Sequence, residues 1–503
     1  MQRSLLNLNF DDLIGKGFLA VLIVFLLGTL LGLLLLALSA VLSGWDSRPD
    51  PGGSKKRFWW TKYAVPMLLA WVFLLMVFYP GLMSADSIDN WRQSQTWNFN
   101  NGHPLLYLLF IWLVTRVWQT PTMVILVQIL GFSLLVSWGL GQLRRYGLPE
   151  WAAWLVSGLF ALSPVNGAMA VTLWKDIPYS LALLAFSIIV LLVSLDPEHW
   201  LSKKGFWGII GGSGAVVALL RYNGLFIFPV TLLILASVYR RHWRVFARAL
   251  LLFFAVWWIV SYPVSSLLKV KKDSIVTGSV AMHHIAAHIN YGSQMNAADE
   301  ALIAQIMPLE DWHYYCYMAN PVLFNPALNK PQALAHVKDM FLISLRLFLQ
   351  NPTVDFNHTF CAGSLVYRVL APFDGYFYAA ALSPQEGGLA TYIDPNEFGF
   401  KQTPIFPKIN AWYIQMLEDS RNGNLSWLIW RPALYLYTYL FFGCILMVRA
   451  RSLRVGLYLI PGLIQSATLF LVNIGQSFRY QYGIYLLGIF SITLLFLQLA
   501  RKK

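Results

Sequence analysis

The chain has 503 residues, 57% of them hydrophobic and only 12% charged, with a mean hydropathy of +0.57. That balance excludes a soluble globular protein and fits a polytopic membrane protein. The net charge of +14 does not indicate a nucleic-acid partner, because the positive residues fall in short runs between apolar stretches, the orientation signature of membrane proteins.

A membrane-crossing helix needs about 20 apolar residues. In chain order the candidates are Phe18–Leu42, Tyr63–Leu82, Thr122–Leu143, Trp151–Leu173, Ile177–Leu195, Phe206–Leu220, Gly224–Tyr239, Val245–Leu268, Trp427–Val448, Val455–Ile474 and Ile484–Ala500. The first is too long for the apolar part of a signal peptide and lacks a small-residue cleavage site, so it is expected to remain as a span. A further stretch, Leu105–Trp118, is short and carries Arg116. Charge decides its placement. Basic runs lie at Lys55-Lys56-Arg57, Arg144-Arg145, Lys203-Lys204, Arg240 to Arg244, Arg449 to Arg454, and Arg501-Lys502-Lys503. If Leu105–Trp118 crosses, the first run is stranded opposite the others. If it only dips into the outer leaflet, all six runs are cytoplasmic. Pro104 and Pro121 bracket the stretch and let the chain turn at both ends.

The expected architecture is therefore an all-α polytopic integral membrane protein with about eleven transmembrane helices. Residues 1–62 hold the first helix and a cytoplasmic loop. Residues 63–268 form the transmembrane core, with a first external loop at 83–121. Residues 269–426 form one mixed extracytoplasmic domain, and 427–503 the last helices. The expected location is the inner (plasma) membrane.

On that topology three polar clusters emerge on the extracytoplasmic face: Ser84 to Asp89, Trp174-Lys175-Asp176, and Arg221-Tyr222-Asn223. Charge so close to hydrocarbon is costly and commonly marks a working site. Asp86 and Asp89 are three apart and share a face on a helix. They suit a general base taking a proton from an acceptor hydroxyl, Asp86 first, or a divalent-ion site; plain helix capping is the alternative. His103, before Pro104, can bond a phosphate or sugar, or simply open a helix at the interface. Lys175 offers a point charge to a phosphate and Asp176 an acceptor, against the plainer reading of a mutual ion pair. Arg221-Tyr222-Asn223 and Arg479-Tyr480 repeat one arrangement on one face, which favours anion binding over two snorkelling arginines.

Within the external block, His284 and His288 have the spacing of a helix-borne zinc pair, but no third ligand follows at a fitting distance, so core or surface histidines are the better reading. Cys316 and Cys361 share this region and can form a disulfide if it faces an oxidising compartment. Lys338 to Gln350 reads as an amphipathic helix.

The order of these features resembles the GT-C fold glycosyltransferases, such as protein O-mannosyltransferases and aminoarabinose transferases: a span, an external loop with Asp86, His103-Pro104 entering a non-spanning helix, then further spans before an external domain. The resemblance covers roughly Tyr63 to Leu268. It implies transfer of a sugar from a polyprenyl-phosphate donor to an external hydroxyl of a glycan or lipid, in cell-envelope modification. It also implies Asp86 as the catalytic carboxylate and Lys175-Asp176 as the charged second external turn. The chain departs from the family in having a single proline after His103, and Asp86 and Asp89 in place of an Asp-Glu pair. This reading fixes no cofactor and leaves open a divalent metal at Asp86 and Asp89. A transporter or flippase of a lipid-linked glycan, and a glycan polymerase or ligase, are the competing readings.

Overall fold

The computed structural model describes residues 58–370, 396–422 and 425–498. The expected span Phe18–Leu42 and the basic runs at 55–57 and 501–503 lie outside them. Among the described residues every regular element is helical, accompanied by three isolated bridge pairs. Hydrocarbon offers the backbone no partners, and helices satisfy their own N–H and C=O groups.

The first half runs α1 (Val65–Val77, entered by a 3-10 turn from Trp59), α2 (Ala85–Thr96), α3 (Leu105–Val114), α4 (Pro121–Arg144), α5 (Glu150–Leu162), α6 (Pro164–Ala170), α7 (Asp176–Leu195), α8 (Phe206–Leu220), α9 (Gly224–Val238) and α10 (Trp243–Ile259). A second group follows: α11 (Ser279–Asn290), α12 (Ala297–Ile306), α13 (Val337–Gln350) and α14 (Pro352–Ala362). The chain then forms α15 (Pro407–Asn422) and closes with α16 (Pro432–Ala450), α17 (Ile460–Val472) and α18 (Tyr482–Phe496).

Among the described residues six helical stretches are long and apolar enough to cross a membrane: Trp59–Val77, Pro121–Arg144, Asp176–Leu195, Arg240–Leu267, Pro432–Ala450 and Leu453–Val472. The bent pair α5 and α6 makes a seventh if counted as one span. The expectation was about eleven. The other expected spans within the described residues, α8, α9 and α18, are 15-residue helices. Each rises about 22 Å, short of the ~30 Å hydrocarbon core.

The stretch expected as one span from Trp151 to Leu173 is broken, α6 turning 64° from α5. Pro164 supplies no N–H and pushes Ser163 out of the helical region, to φ −61 and ψ 119. The Ser163 hydroxyl then accepts from Asn166 N–H and starts the new helix.

Helix α3 has 10 residues and rises about 15 Å, roughly half the hydrocarbon core. Both its ends stay beside α2. His103, just before it, reaches Asp89, while Thr115, Arg116 and Gln119, just after it, bond the Gln95 side chain at 3.0–3.2 Å. The Thr122 hydroxyl at the start of α4 bonds the Pro80 carbonyl at 2.9 Å, returning the chain to the end of α1.

Two cores form. The larger joins the apolar helices, with Trp71 against Phe132 at 4.5 Å between ring centroids. The smaller lies within α11 to α13 and their connections. The expected amphipathic helix is α13, which buries Met340, Ile343 and Leu347 at helical spacing. The segment before and within α15 packs on α1 instead: Thr403 N–H bonds the Tyr79 carbonyl, and Asn410 Nδ2 bonds that of Val77.

Candidate active site

Two loops far apart in sequence are tied together by backbone bonds, and this builds the site. Leu82 N–H donates to the Val171 carbonyl and Leu173 N–H to the Leu82 carbonyl, each at 2.9 Å, a parallel bridge between residues 82 and 172. Gly81 makes the approach possible. Its φ is +125°, and a Cβ there would lie 2.0 Å from Ile125 Cδ1. Gln128, buried in α4, donates to the Ala170 and Thr172 carbonyls and fixes the second loop from below. The side chains continue the stitching. The Ser87 hydroxyl donates to the Leu173 carbonyl at 2.6 Å, and Trp174 Nε1 donates to Ser84 Oγ at 2.6 Å. The carboxylates of α2 are thereby set beside Lys175 and Asp176 at the start of α7.

Arg479, in the short turn Phe478–Gln481 before α18, closes the site. Its Nη1 is 2.5 Å from Asp86 Oδ2, and its Nε is 3.9 Å from Asp176 Oδ2. Arg221, between α8 and α9, holds Asp176 Oδ1 at 2.9 Å. Asp176 is the first residue of α7, where the helix dipole favours a carboxylate, and it is 1% exposed. The Tyr480 ring lies against both guanidinium groups, 4.5 Å from Arg221 and 5.4 Å from Arg479. Trp174 and Tyr179 flank them.

A second string joins the first. Lys175 Nζ donates to His103 Nδ1 at 2.8 Å, which leaves the ring proton on Nε2, 3.0 Å from Asp89 Oδ2. Gln93 donates to the same oxygen, and Arg92 bridges Asp89 Oδ1 to Glu397. The Arg479 charge holds the Asp86 carboxyl well below the usual carboxylate range, against the opposing effect of burial. The hydrogen bond from His103 lowers Asp89 in the same sense.

Of the residues singled out in the sequence, Asp86, Asp89, His103, Lys175, Asp176, Arg221, Arg479 and Tyr480 share this one charged network. Asn223 is at its edge, donating to Gln465 Oε1 at 3.1 Å. Tyr222 stands apart, 60% exposed, with its hydroxyl on the Asn101 carbonyl. Sequence reading missed Gln465, Tyr179 and Glu397. Gln465 accepts from the Tyr179 hydroxyl and donates to the Tyr480 carbonyl, so it supports the arginine-bearing turn. A glutamine inside an apolar stretch was the available signal.

Asp86 and Asp89 do not fit a divalent cation. Asp86 faces a guanidinium, and both oxygens of Asp89 already accept from N–H groups. Among the described residues no group of three or more His, Cys, Asp or Glu side chains could hold a metal ion. The His284–His288 pair instead grips one carboxylate. His284 Nδ1 is 2.6 Å from Asp355 Oδ1, and His288 Nε2 is 2.7 Å from Asp355 Oδ2. The His358 ring meets those of His283 and His284 edge-on, with centroids 4.4 and 4.3 Å away, and all but His284 are buried. Cys316 and Cys361 are joined by a disulfide, with Cα atoms 5.9 Å apart.

No family model and no curated protein matches the chain. A solved structure similar to it is the archaeal oligosaccharyltransferase AglB from Archaeoglobus fulgidus, in complex with an inhibitory peptide and a dolichol-phosphate. The match covers 87% of this chain and 50% of that one, at 14% identity and a TM-score of 0.43. The chain thus spans about half the length of that protein.

Proposed function

We propose that this membrane protein is a glycosyltransferase of the GT-C type, moving a sugar from a polyprenyl-phosphate donor to an acceptor hydroxyl at the extracytoplasmic face. One observation carries the reading: Lys175, Arg221 and Arg479, from three distant segments, meet at helix ends around Asp86 and Asp176. With Asp89 the carboxylates match these three cations in number, and an arriving lipid phosphate competes with Asp86 and Asp176 for the two guanidinium groups.

In the proposed reaction the acceptor oxygen attacks the anomeric carbon as the bond from that carbon to the phosphate oxygen breaks. The acceptor proton passes to Asp86. The leaving polyprenyl phosphate keeps the electron pair, and its charge is met by Arg479, Arg221 and Lys175. Asp86 paired to Arg479 is a weak base. A donor phosphate that engages Arg479 loosens that pairing and restores basicity where the proton is released. Asp89, held by His103 and Gln93, orients the histidine and, through it, Lys175. No step requires a metal ion.

Transport is the weaker reading, because a transporter gathers its polar groups near the bilayer midplane at broken helices. Here the charges sit at the ends of α7, α8 and α9 and in the turn before α18. The test is purified protein with radiolabelled polyprenyl-phosphate sugars and hydroxyl acceptors. Asp86→Asn is expected to slow transfer about 10²- to 10⁴-fold. Unchanged transfer in that variant removes Asp86 as the base. Label crossing sealed vesicles with its glycosidic bond intact supports the transporter.

A further inference from the structure

Arg479 hangs on a strap, residues 473–481, between α17 and α18, and the strap is gripped from two directions by the α11–α14 group. On one side Ala319 N–H donates to the Ile474 carbonyl and Gln476 N–H to the Tyr317 carbonyl, both at 2.9 Å, pairing Met318 with Gly475 in antiparallel fashion. On the other, Asn473 Nδ2 donates to the Ala362 carbonyl. Gln476 Nε2 lies 2.9 Å from the Cys361 carbonyl, 2.8 Å from that of Ala362 and 2.9 Å from Ser364 Oγ. Gln476 is fully buried. The two gripping segments are the ones that carry Cys316 and Cys361, which are disulfide-bonded. One glutamine therefore joins by hydrogen bonds the same two segments that the disulfide joins covalently, three residues ahead of Arg479.

We propose that Gln476 is a positioning residue for Arg479, and that it and the Cys316–Cys361 disulfide together fix the guanidinium against Asp86. The backbone leaves little slack between them. Ser477 N–H bonds the Gly475 carbonyl and Tyr480 N–H bonds that of Ser477, so a shift at Gln476 is carried directly into the turn that holds Arg479. Either tie alone holds the two segments near one another, and losing both frees the strap. The effects of the two losses are therefore coupled rather than additive. The consequence for sugar transfer rests on the proposed reaction; the consequence for the Arg479–Asp86 contact does not.

The experiment reads that contact directly. Full-length protein in lipid nanodiscs is treated with a water-soluble carbodiimide and an amine, and labelling of Asp86 is quantified by peptide mass spectrometry. An arginine-paired carboxylate resists this reagent, and Arg479→Gln gives the fully released reference. Oxidised Gln476→Ala is expected to label Asp86 about fivefold faster than wild type, the weight of one typical hydrogen bond. Reduction with a phosphine should bring that variant up to the Arg479→Gln level. In the Arg479→Gln background neither change should add anything. Asp86 labelling at the wild-type rate in reduced Gln476→Ala overturns the proposal, as does an equal rise on top of Arg479→Gln. Asn473→Ala and reduction of the wild type supply the same two arms if Gln476→Ala does not fold. In transfer assays the expected signature is a raised KM for the polyprenyl-phosphate sugar in Gln476→Ala, rescued by Gln476→Asn in part. Wild-type protein that transfers no sugar but gives the labelling pattern rejects the reaction and supports the clamp.

Discussion

Two buried carboxylates sit in this molecule in opposite company. Asp176, at the rim of the apolar helices, is met by two arginines with Lys175 close by. Asp355, in the α11–α14 group, is held by two imidazoles from one neighbouring helix and walled by two more. Around Asp176 three cations meet the carboxylates of Asp86 and Asp89 as well, and the side chains come from loops that nothing but tertiary structure unites. Around Asp355 the network closes on itself, with α11 facing α14 and each carboxylate oxygen accepting one bond. Cations gathered at a junction of distant segments suit an anion that arrives and leaves. A closed, buried network suits a scaffold.

The sharpest way to break this contrast is Arg479→Gln. Removing one charged donor from a site of this kind should lower glycosyl transfer per folded molecule about 10²- to 10³-fold, beyond what any fall in the thermal midpoint from leaving Asp86 unpaired accounts for. Equal losses of transfer from Arg479→Gln and Asp355→Asn would erase the distinction. Asp355→Asn should instead act on stability. It leaves two buried imidazoles without their acceptor charge and should cost about 1–3 kcal/mol, read as a lowered unfolding midpoint, with transfer per folded molecule unchanged.

Acid should sharpen the contrast further. Burial pushes His283 down to about 4 and His358 down to about 2, from an ordinary value of 6.5. The unfolded chain takes up these protons below about pH 6.5 and the folded one does not, so stability falls as the pH is lowered from there toward 4. Burial raises the Asp355 carboxyl, but hydrogen bonds from His284 and His288 outweigh it and hold the group at about 2. Its contribution therefore persists down to its ordinary value of 3.8 and is lost only between there and 2. His358→Phe should flatten the fall in unfolding midpoint between pH 6.5 and 4, and an unchanged slope would remove His358 from the account. The smallest effect is expected at Tyr222→Phe, whose exposed hydroxyl bonds only a carbonyl outside the charged network. Transfer and stability should both stay within about 0.5 kcal/mol of wild type.

Much of the site was legible because charge beside hydrocarbon is rare enough to stand out in a string of letters. Asp86, Lys175, Arg221 and Arg479 each interrupt an apolar stretch at its edge, and each turned out to share the network. The short stretch after Pro104 was legible as too short for a span, bracketed by two prolines, and it forms the 10-residue helix α3. What could not be read were pairings set by tertiary contact alone. His284 and His288 advertise a ligand pair, but their partner Asp355 is 67 residues further on and belongs to another helix. The break at Ser163 hides in an apolar run where only Pro164 hints at it. Gln476 looked like one more polar residue near Arg479, and only its place between the two cysteine-bearing segments gives it meaning.

The bridge between residues 82 and 172 has a mechanical implication. Because the backbones on either side of it exchange hydrogen bonds, and Trp174 reaches back to Ser84, the acid-bearing loop and the lysine-bearing loop must travel as one piece. The opposite wall is held just as firmly, because the nine-residue strap that carries Arg479 is bonded to both cysteine-bearing segments. The cleft is therefore built like a jig, each charged loop clamped to a neighbour before any headgroup arrives.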